Sequence, residues 1–388
     1  MDETPPLILI VDDNRLNREL LRLHLKKRNY DFLSASNGLE AVEALVSNKR
    51  GQSVDLILLD LMMPEMDGFE FLSWRKERED ILEIPVIVNS SLDDFESIAK
   101  ALTMDTYDYF TKPLHHYDLE IILPLKIKNA ISAKRALTAL RNQNVTMRNE
   151  LAMAARYQQF LLPADVDLPG VKVSYMFQPC SDVGGDYFDF WSLDDGSVCF
   201  VLTDATGHGV SAAMTASIVK ALLPAYLKAH LSPAQALLSL NEDLLRLTQE
   251  DTFVTAASIR YDPARAVISW CLAGHPYPVF LPQEGPAQTL AMNSLFLGIF
   301  PSDNALMDIH DQTLEVKAGD RLMIYSDGLT EAPGAGTGEG FGVKRIMDIM
   351  VDNRGRDINY LRNVIYDQLK EYVKGDFPDD VAYIIMEF

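Results

Sequence analysis

The hydrophobic pattern changes twice along the chain. Within residues 1–120, short and mostly continuous apolar runs occur at Leu7–Val11, Val54–Leu59, Pro85–Val88 and Tyr107–Phe110. Runs of this kind suit parallel strands covered on both faces. Helically spaced segments such as Arg15–Lys27 and Gly38–Val46 lie between them. A repeated strand–helix order predicts an α/β fold: a doubly wound, five-stranded parallel sheet with its site at the carboxyl ends of the strands. From 125 to 162 the period lengthens. Leu137, Leu140, Asn144, Met147, Leu151, Ala154, Gln158 and Leu161 follow a 3–4 spacing with no glycine among them, and Pro124 stands near the start. This predicts one linker helix of about 38 residues, about 57 Å long. Its apolar seam is too thin to stand alone in water. It needs either a second copy, as a coiled coil, or the body of its own chain. Asn144 and Gln158 weaken that seam or set its register.

After Pro163–Gly170 the period shortens again. Strand signals follow at Val173–Phe177, Tyr187–Trp191, Val198–Leu202, Ala256–Tyr261, Val267–Leu272, Pro278–Leu281, Arg321–Tyr325 and Val381–Met386. Helical signals fall at Val210–Ala229, Pro233–Thr248, Val343–Met350 and Ile358–Val373. Many strands with four helices predict a sandwich of two β-sheets flanked by helix pairs. Gly334–Gly340 reads as a flexible flap. The expected domains are therefore 1–124, 125–162 and 163–388.

Composition narrows the function. With 388 residues and 48% hydrophobic content, ordinary packed cores can form, while the formal net charge is −21. Non-specific nucleic-acid binding needs a basic face, so no nucleic-acid partner is expected. Cys180, Cys199 and Cys271 are far apart and show no metal spacing, as suits a reducing compartment. The acidic start of the chain leads straight into a strand, and no continuous apolar run reaches 18 residues. The expectation is a cytoplasmic protein without a signal peptide and without a membrane span.

The chemistry lies in acidic residues beside turns. Asp186 follows Val183-Gly184-Gly185, Asp204 precedes Ala205-Thr206-Gly207-His208-Gly209, Asp327 stands in Ser326-Asp327-Gly328, and Asp379 in Pro378-Asp379-Asp380. Each flanks a strand signal, and gathered carboxylates repel unless cations neutralise them. An oxygen-ligand metal site is the economical reading. Over Tyr157 to Phe388 the chain resembles the metal-dependent serine/threonine phosphatases of PPM fold. The branch is the bacterial one of sporulation and stress-response partner switching. Ala273-Gly274-His275-Pro276 and Ser326-Asp327-Gly328-Leu329-Thr330-Glu331 match further motifs of that branch. The resemblance implies two Mn²⁺ or Mg²⁺ ions bridged by Asp204, with the carbonyl of Ala205 as a ligand. Asp327 and Asp379 then bind one ion, and Asp186 binds the other directly or through water. Water activated between the ions attacks a phosphoserine or phosphothreonine in line. Strict alternation lets only one of Asp379 and Asp380 face the metals, and the family pattern favours Asp379. Asp189 reads as supporting, His208 as an outer residue of the site, and His275 as a structural hydrogen-bonding group. Thr206 departs mildly from the family's usual Ser.

A second set sits at the amino-terminal end. Asp12 and Asp13 end the first strand, Asp60 the third, in Leu59-Asp60-Leu61-Met62-Met63-Pro64. Ser90 follows the fourth and Lys112 the fifth, in Thr111-Lys112-Pro113. Over Leu7 to Ile131 this resembles the receiver domains of two-component response regulators, and Met66-Asp67-Gly68 strengthens the match. The resemblance implies that Asp60 accepts a phosphoryl group from a sensor histidine kinase. Asp12 or Asp13, with Asp60 and the carbonyl of Met62, holds one Mg²⁺. Lys112 and Ser90 contact the phosphate, and Tyr109 reports the change by turning inward. Asp105 stands where the family usually has Gly. Taken together, the expectation is a response regulator whose output is a phosphatase. Its substrate is a phosphorylated STAS-type anti-sigma-factor antagonist, and it forms a homodimer through the linker helix. The rival is a non-catalytic adaptor that binds a regulatory protein. Such an adaptor is expected to drift to neutral residues at the metal positions, whereas here Asp186, Asp204, Asp327 and Asp379 are all present.

Overall fold

The computed structural model describes residues 4–47, 53–91, 95–112, 115–163, 167–207, 209–229, 231–249, 251–292, 294–304, 306–336 and 338–388. Pro113, His208 and Thr337, and the side chain of Leu161, lie outside the described set. The chain forms two compact units, Met1–Thr146 and Met147–Phe388.

The first unit runs β1 (Leu7–Val11), α1 (Arg15–Lys27), β2 (Asp31–Ala35), α2 (Gly38–Ser47), β3 (Leu56–Asp60), α3 (Gly68–Lys76), α4 (Glu79–Leu82), β4 (Val86–Ser91), α5 (Phe95–Leu102) and β5 (Asp108–Lys112). The sheet is parallel, in the order β2-β1-β3-β4-β5. The continuous apolar runs are explained by its two covered faces. Leu7, Leu9, Val11, Ile57 and Leu59 pack toward Ala41, Phe71 and Leu72. Ile8, Ile10, Leu56, Leu58 and Ile87 pack toward Leu21 and Leu25. Local signals start the helices: Asn14 caps α1, and Asp67 with Glu70 forms a capping box on α3. The pattern missed β2, whose Asp-Phe-Leu-Ser-Ala stretch lies at the sheet edge and is only partly buried. Ser90 and Lys112 lie inside β4 and β5 rather than after them, because pairing continues through Ser90↔Thr111 and Ser91↔Lys112.

A π-helical turn at Asp118–Ile122 leads into α6 (Leu123–Leu161), a helix of 39 residues. Its first turns belong to the receiver core, where Leu123, Ile127, Ala130 and Ile131 join Ile8, Ile10 and Phe110. Along 135–150 every described side chain is exposed, Leu137, Leu140 and Met147 included.

The second unit holds β6 (Lys172–Gln178), β7 (Asp186–Ser192), β8 (Val198–Ala205), α7 (Val210–Lys228), α8 (Pro233–Leu247), β9 (Val254–Asp262), β10 (Val267–Ala273), β11 (Val279–Leu281), β12 (Gln288–Thr289), β13 (Gln312–Glu315), β14 (Arg321–Tyr325), α9 (Asp327–Glu331), α10 (Val343–Asp352), α11 (Ile358–Val373) and β15 (Val381–Glu387). Two antiparallel sheets form, β13-β10-β9-β8-β7 and β12-β11-β14-β15-β6. Aromatic side chains fill the space between them: Tyr175 and Phe177 of one sheet meet Phe188 and Phe190 of the other. Leu223 and Leu227 of α7 and Leu237 and Leu240 of α8 close the outer face of the first sheet. Ile346, Met350, Leu361 and Ile365 of α10 and α11 close that of the second. The short β12 and β13 escaped the sequence pattern because both are polar edge strands. One helix bears on the expected absence of a membrane span. Helix α7 is long and apolar enough to cross a membrane, although no continuous apolar run reaches that length. Its Ala212, Ala216, Val219, Leu223 and Leu227 are buried in the core beneath it. The Gly334–Gly340 loop is tied to itself by Gly334 N–H donating to the Glu339 carbonyl at 2.8 Å.

Candidate functional site

The acidic residues of the second unit meet where β7 and β8 run side by side. Asp186 and Asp204 are directly opposed cross-strand partners, so their side chains share a face. Asp327 opens α9, just after β14, and Asp379 lies two residues before β15, which pairs with β14. Asp186 is almost fully buried, and neither of its carboxylate oxygens has a hydrogen-bond partner among the described residues. The Ser326 hydroxyl is near enough to ease its charge slightly but lies against the carbonyls of Asp380 and Ala382. Burial, then Asp204 and Asp380, push the Asp186 carboxyl well above the usual carboxylate range. Burial, followed by Asp327, Asp379 and Asp380, pushes Asp204 up to about 8. Burial and then Asp379 raise Asp327. A buried, orphaned carboxylate among mutually repelling neighbours is costly by itself. The donor set is all oxygen, which suits Mg²⁺ or Mn²⁺ and not Zn²⁺.

Asp380 has a different task from Asp379. Its buried carboxylate accepts from the main-chain N–H groups of Cys180 at 2.8 Å, Gly185 at 2.6 Å and Asp186 at 3.4 Å. It therefore organises the loop leading to Asp186. Gly184 is required there, since a Cβ would stand 2.3 Å from the Asp380 Oδ2. Asp189 points away from Asp186 and accepts from Lys220 Nζ at 2.8 Å and from the Tyr187 hydroxyl at 3.0 Å. His275 is buried, its Nδ1 lies 2.8 Å from the Thr255 hydroxyl, and burial lowers its pKa to about 3. It stays a neutral structural group. Beside Asp327 opens a cleft of about 730 Å³, lined by Tyr277, Met292, Leu295, Leu306, Asp308 and Glu331. Sequence reasoning missed Ser326, whose hydroxyl accepts from Ala382 N–H at 2.9 Å and so joins the turn bearing Asp327 to β15. Its place beside Asp327 was the available signal.

In the first unit, Asp12, Asp13 and Asp60 bring ligand atoms within 4.8 Å of one another, the one such group of three among the described residues. The carboxylates of the second unit do not form such a group among the described residues. Lys112 Nζ lies 2.6 Å from Asp60 Oδ2 and 3.0 Å from Asp12 Oδ2. Burial raises the Asp60 pKa against the opposing pull of Lys112. Burial works against the Lys112 charge, but Asp60 and Asp12 outweigh it and raise its pKa. Met62 N–H donates to Asp60 Oδ1 at 3.5 Å. Ser90 is buried near the end of β4, and Tyr109 is turned outward, with Lys126 over its ring. Two residues were missed: Asn17 and Asn89, whose amides approach Asp12 at 3.3 Å and 3.5 Å. Asn89 comes to the site through the β3–β4 register, in which it pairs with Asp60. At Asp105 the backbone adopts positive φ, which explains the family's usual Gly, and its carbonyl accepts from the buried Arg75.

Comparison with known proteins agrees with both halves. The profile of Stage II sporulation protein E (SpoIIE) matches residues 194–388, and that of the response regulator receiver domain matches 8–123. The chain is 26% identical over 231 residues to the Regulator of RpoS of Escherichia coli K12, covering 58% of this chain and 66% of that one. It is 24% identical over 298 residues to the phosphoserine phosphatase RsbU of Bacillus subtilis, covering 76% and 86%. A third relative, the phosphoserine phosphatase RsbP of the same organism, is matched over only 58% of its length. The SiaA-PP2C domain of Pseudomonas aeruginosa superposes with a TM-score of 0.55 at 19% identity, covering 63% of this chain and 98% of that domain, and shares its fold. The chain belongs to the SpoIIE family, with a response regulator receiver domain ahead of a phosphatase domain of PPM fold.

Proposed function

We propose that the chain is a metal-dependent phosphoserine/phosphothreonine protein phosphatase controlled by phosphorylation of its own receiver. The observation that carries this reading is the buried, unpartnered carboxylate of Asp186 directly opposite Asp204. Asp186, Asp204, Asp327 and Asp379, with the Ala205 carbonyl, are the residues that would hold two Mn²⁺ or Mg²⁺ ions. Bound there, such ions make a water nucleophilic near neutral pH and offset charge on the phosphoryl oxygens. Asp380 and Gly184 hold the loop that presents Asp186. The cleft beside Asp327 offers room for the polypeptide on either side of the phosphorylated residue. Two relatives named phosphoserine phosphatases support the substrate class. Within it we favour a phosphorylated STAS-type anti-sigma-factor antagonist in the cytoplasm, with a sensor histidine kinase supplying the receiver. Asp60 is the acceptor, Asp12, Asp13, Asp60 and the Met62 carbonyl the place for Mg²⁺, and Lys112, Ser90 and Tyr109 the responding groups.

The test is hydrolysis of para-nitrophenyl phosphate and of a phosphorylated STAS protein, each with Mn²⁺ and with excess chelator. Turnover is expected only with metal. Mn²⁺ at a hundred times its dissociation constant should also stabilise the folded second unit by ~2.7 kcal/mol, read as a rise in melting temperature. Full activity in chelator refutes the metal mechanism. No activity on either substrate with metal favours the adaptor.

The exposed seam of α6 supports coupling through dimerisation. Leu140 is exposed and Leu151 partly so in the single chain, and an apolar seam of this kind is expected to pair. Leu140→Glu with Leu151→Glu should leave both units folded but make the phosphatase rate indifferent to a phosphoryl mimic. Sedimentation run beside the assay checks it. A strictly monomeric chain that keeps its full response excludes the dimer mechanism.

A further inference from the structure

Gln158 was expected to weaken the linker seam. Its side chain has another use. Nε2 donates to the Gly184 carbonyl at 2.7 Å, and Oε1 accepts from Gly184 N–H at 3.0 Å. A carboxamide used on both sides reads the main chain as a neighbouring strand does, at a residue that cannot carry a side chain. The loop before β7 is thus gripped twice. Asp380 takes the N–H groups of Cys180, Gly185 and Asp186, and Gln158 takes both groups of Gly184. Asp186 is two residues further on. Its carboxylate has no hydrogen bond of its own among the described residues, so the placement of the main chain weighs heavily on where it points.

Among the described side chains, packing around this contact is thin. A hollow of about 250 Å³ separates the end of α6 from α7, lined by Ala154, Tyr157, Val183, Val210, Ala213 and Met214. Tyr157, Val210 and Met214 are largely exposed. A seal with this much open apolar surface contributes little, so the two hydrogen bonds are a main tie between this turn of the helix and the loop.

We propose that Gln158 is a positioning residue. Through its carboxamide, the end of the linker helix sets the loop 180–186 and thereby the placement of Asp186. The consequence for metal binding rests on Asp186 being a ligand. A shift or rotation of the last turns of α6 then acts on the site through this side chain, without unfolding either sheet.

The experiment uses the full chain and compares Gln158→Leu and Gln158→Glu with the native protein. Leucine matches the bulk and removes both hydrogen bonds. Glutamate keeps an acceptor for the Gly184 N–H but sets a second oxygen against the Gly184 carbonyl. Hydrogen exchange of the segment 180–187 is followed by mass spectrometry, and Mn²⁺ affinity is followed by calorimetry. Circular dichroism and receiver phosphorylation report the fold. The leucine variant should exchange about tenfold faster at Gly184–Asp186, as the loss of two modest hydrogen bonds implies, and bind Mn²⁺ about tenfold more weakly; the glutamate variant, which loses one, should change in the same direction by less. Native exchange in the leucine variant overturns the proposal, since a purely packing role would survive that change. Asp186→Asn, with Gln158 intact, tests the ligand assignment separately. If it binds Mn²⁺ as the native chain does while the Gln158 variants still exchange faster, the clamp stands and the ligand assignment falls.

Discussion

Asp204→Asn should lower phosphatase turnover by at least about a thousandfold, the scale of removing a main electrostatic contribution to a transition state. Asp204 sits in β8 opposite Asp186 and close enough to Asp327 and Asp379 for all three to share one field. It is therefore within electrostatic reach of all three other acidic residues of the set, as the proposed shared role requires. Asparagine has the same shape and keeps the β7–β8 pairing, so the fold should survive. Removing one of several repelling charges should, if anything, raise the melting temperature of the metal-free chain. Loss of activity with an unchanged or higher metal-free melting temperature is therefore the expected signature. Turnover within about tenfold of native would remove Asp204 from the mechanism.

Asp60→Asn should abolish uptake of a phosphoryl group from acetyl phosphate with Mg²⁺, measured as a hydroxylamine-labile adduct. Asp60 ends β3 with its carboxylate 2.6 Å from Lys112 Nζ, and it is buried apart from that edge. Asp12 is held by Asn17, Asn89 and its own loop N–H, which leaves it oriented for a cation and poorly placed as nucleophile. Asp13 is exposed and offers no pocket to a phosphate. Lys112→Ala should preserve slow uptake but abolish the change in phosphatase rate. Labelling of Asp60→Asn at the native level would place the acceptor elsewhere.

Much of this architecture was legible from local pattern. Continuous apolar runs marked strands covered on both faces, and the residues just past them marked one chemical edge. Glycines near Asp186, Asp204 and Asp327, and Pro378 before Asp379, marked the turns. These features depend on period and neighbour identity, which sequence carries directly. Strands β2, β12 and β13 were not legible, because their largely exposed or part-buried side chains carry no apolar pattern. Nor could period place Asn17 or Asn89 beside Asp12, since their approach is made by the fold.

Two neighbouring pairs show where sequence stopped and tertiary structure began. Asp379 and Asp380 are chemically the same, and alternation required them to differ in direction. Only the fold could assign Asp380 to three main-chain N–H groups of a loop about 200 residues away in sequence. Gln158 and Asn144 occupy equivalent places in the helical repeat. Asn144 stands exposed, whereas Gln158 reaches Gly184. The sequence by itself determined the two fold classes, the long helix and which acidic residues border turns, because each follows from contacts within a few residues. Which of those side chains would meet, and which would be left without a partner in the interior, was decided by the tertiary structure. Hydrogen bonds and charge repulsion act over a few ångströms of space and take no account of separation along the chain.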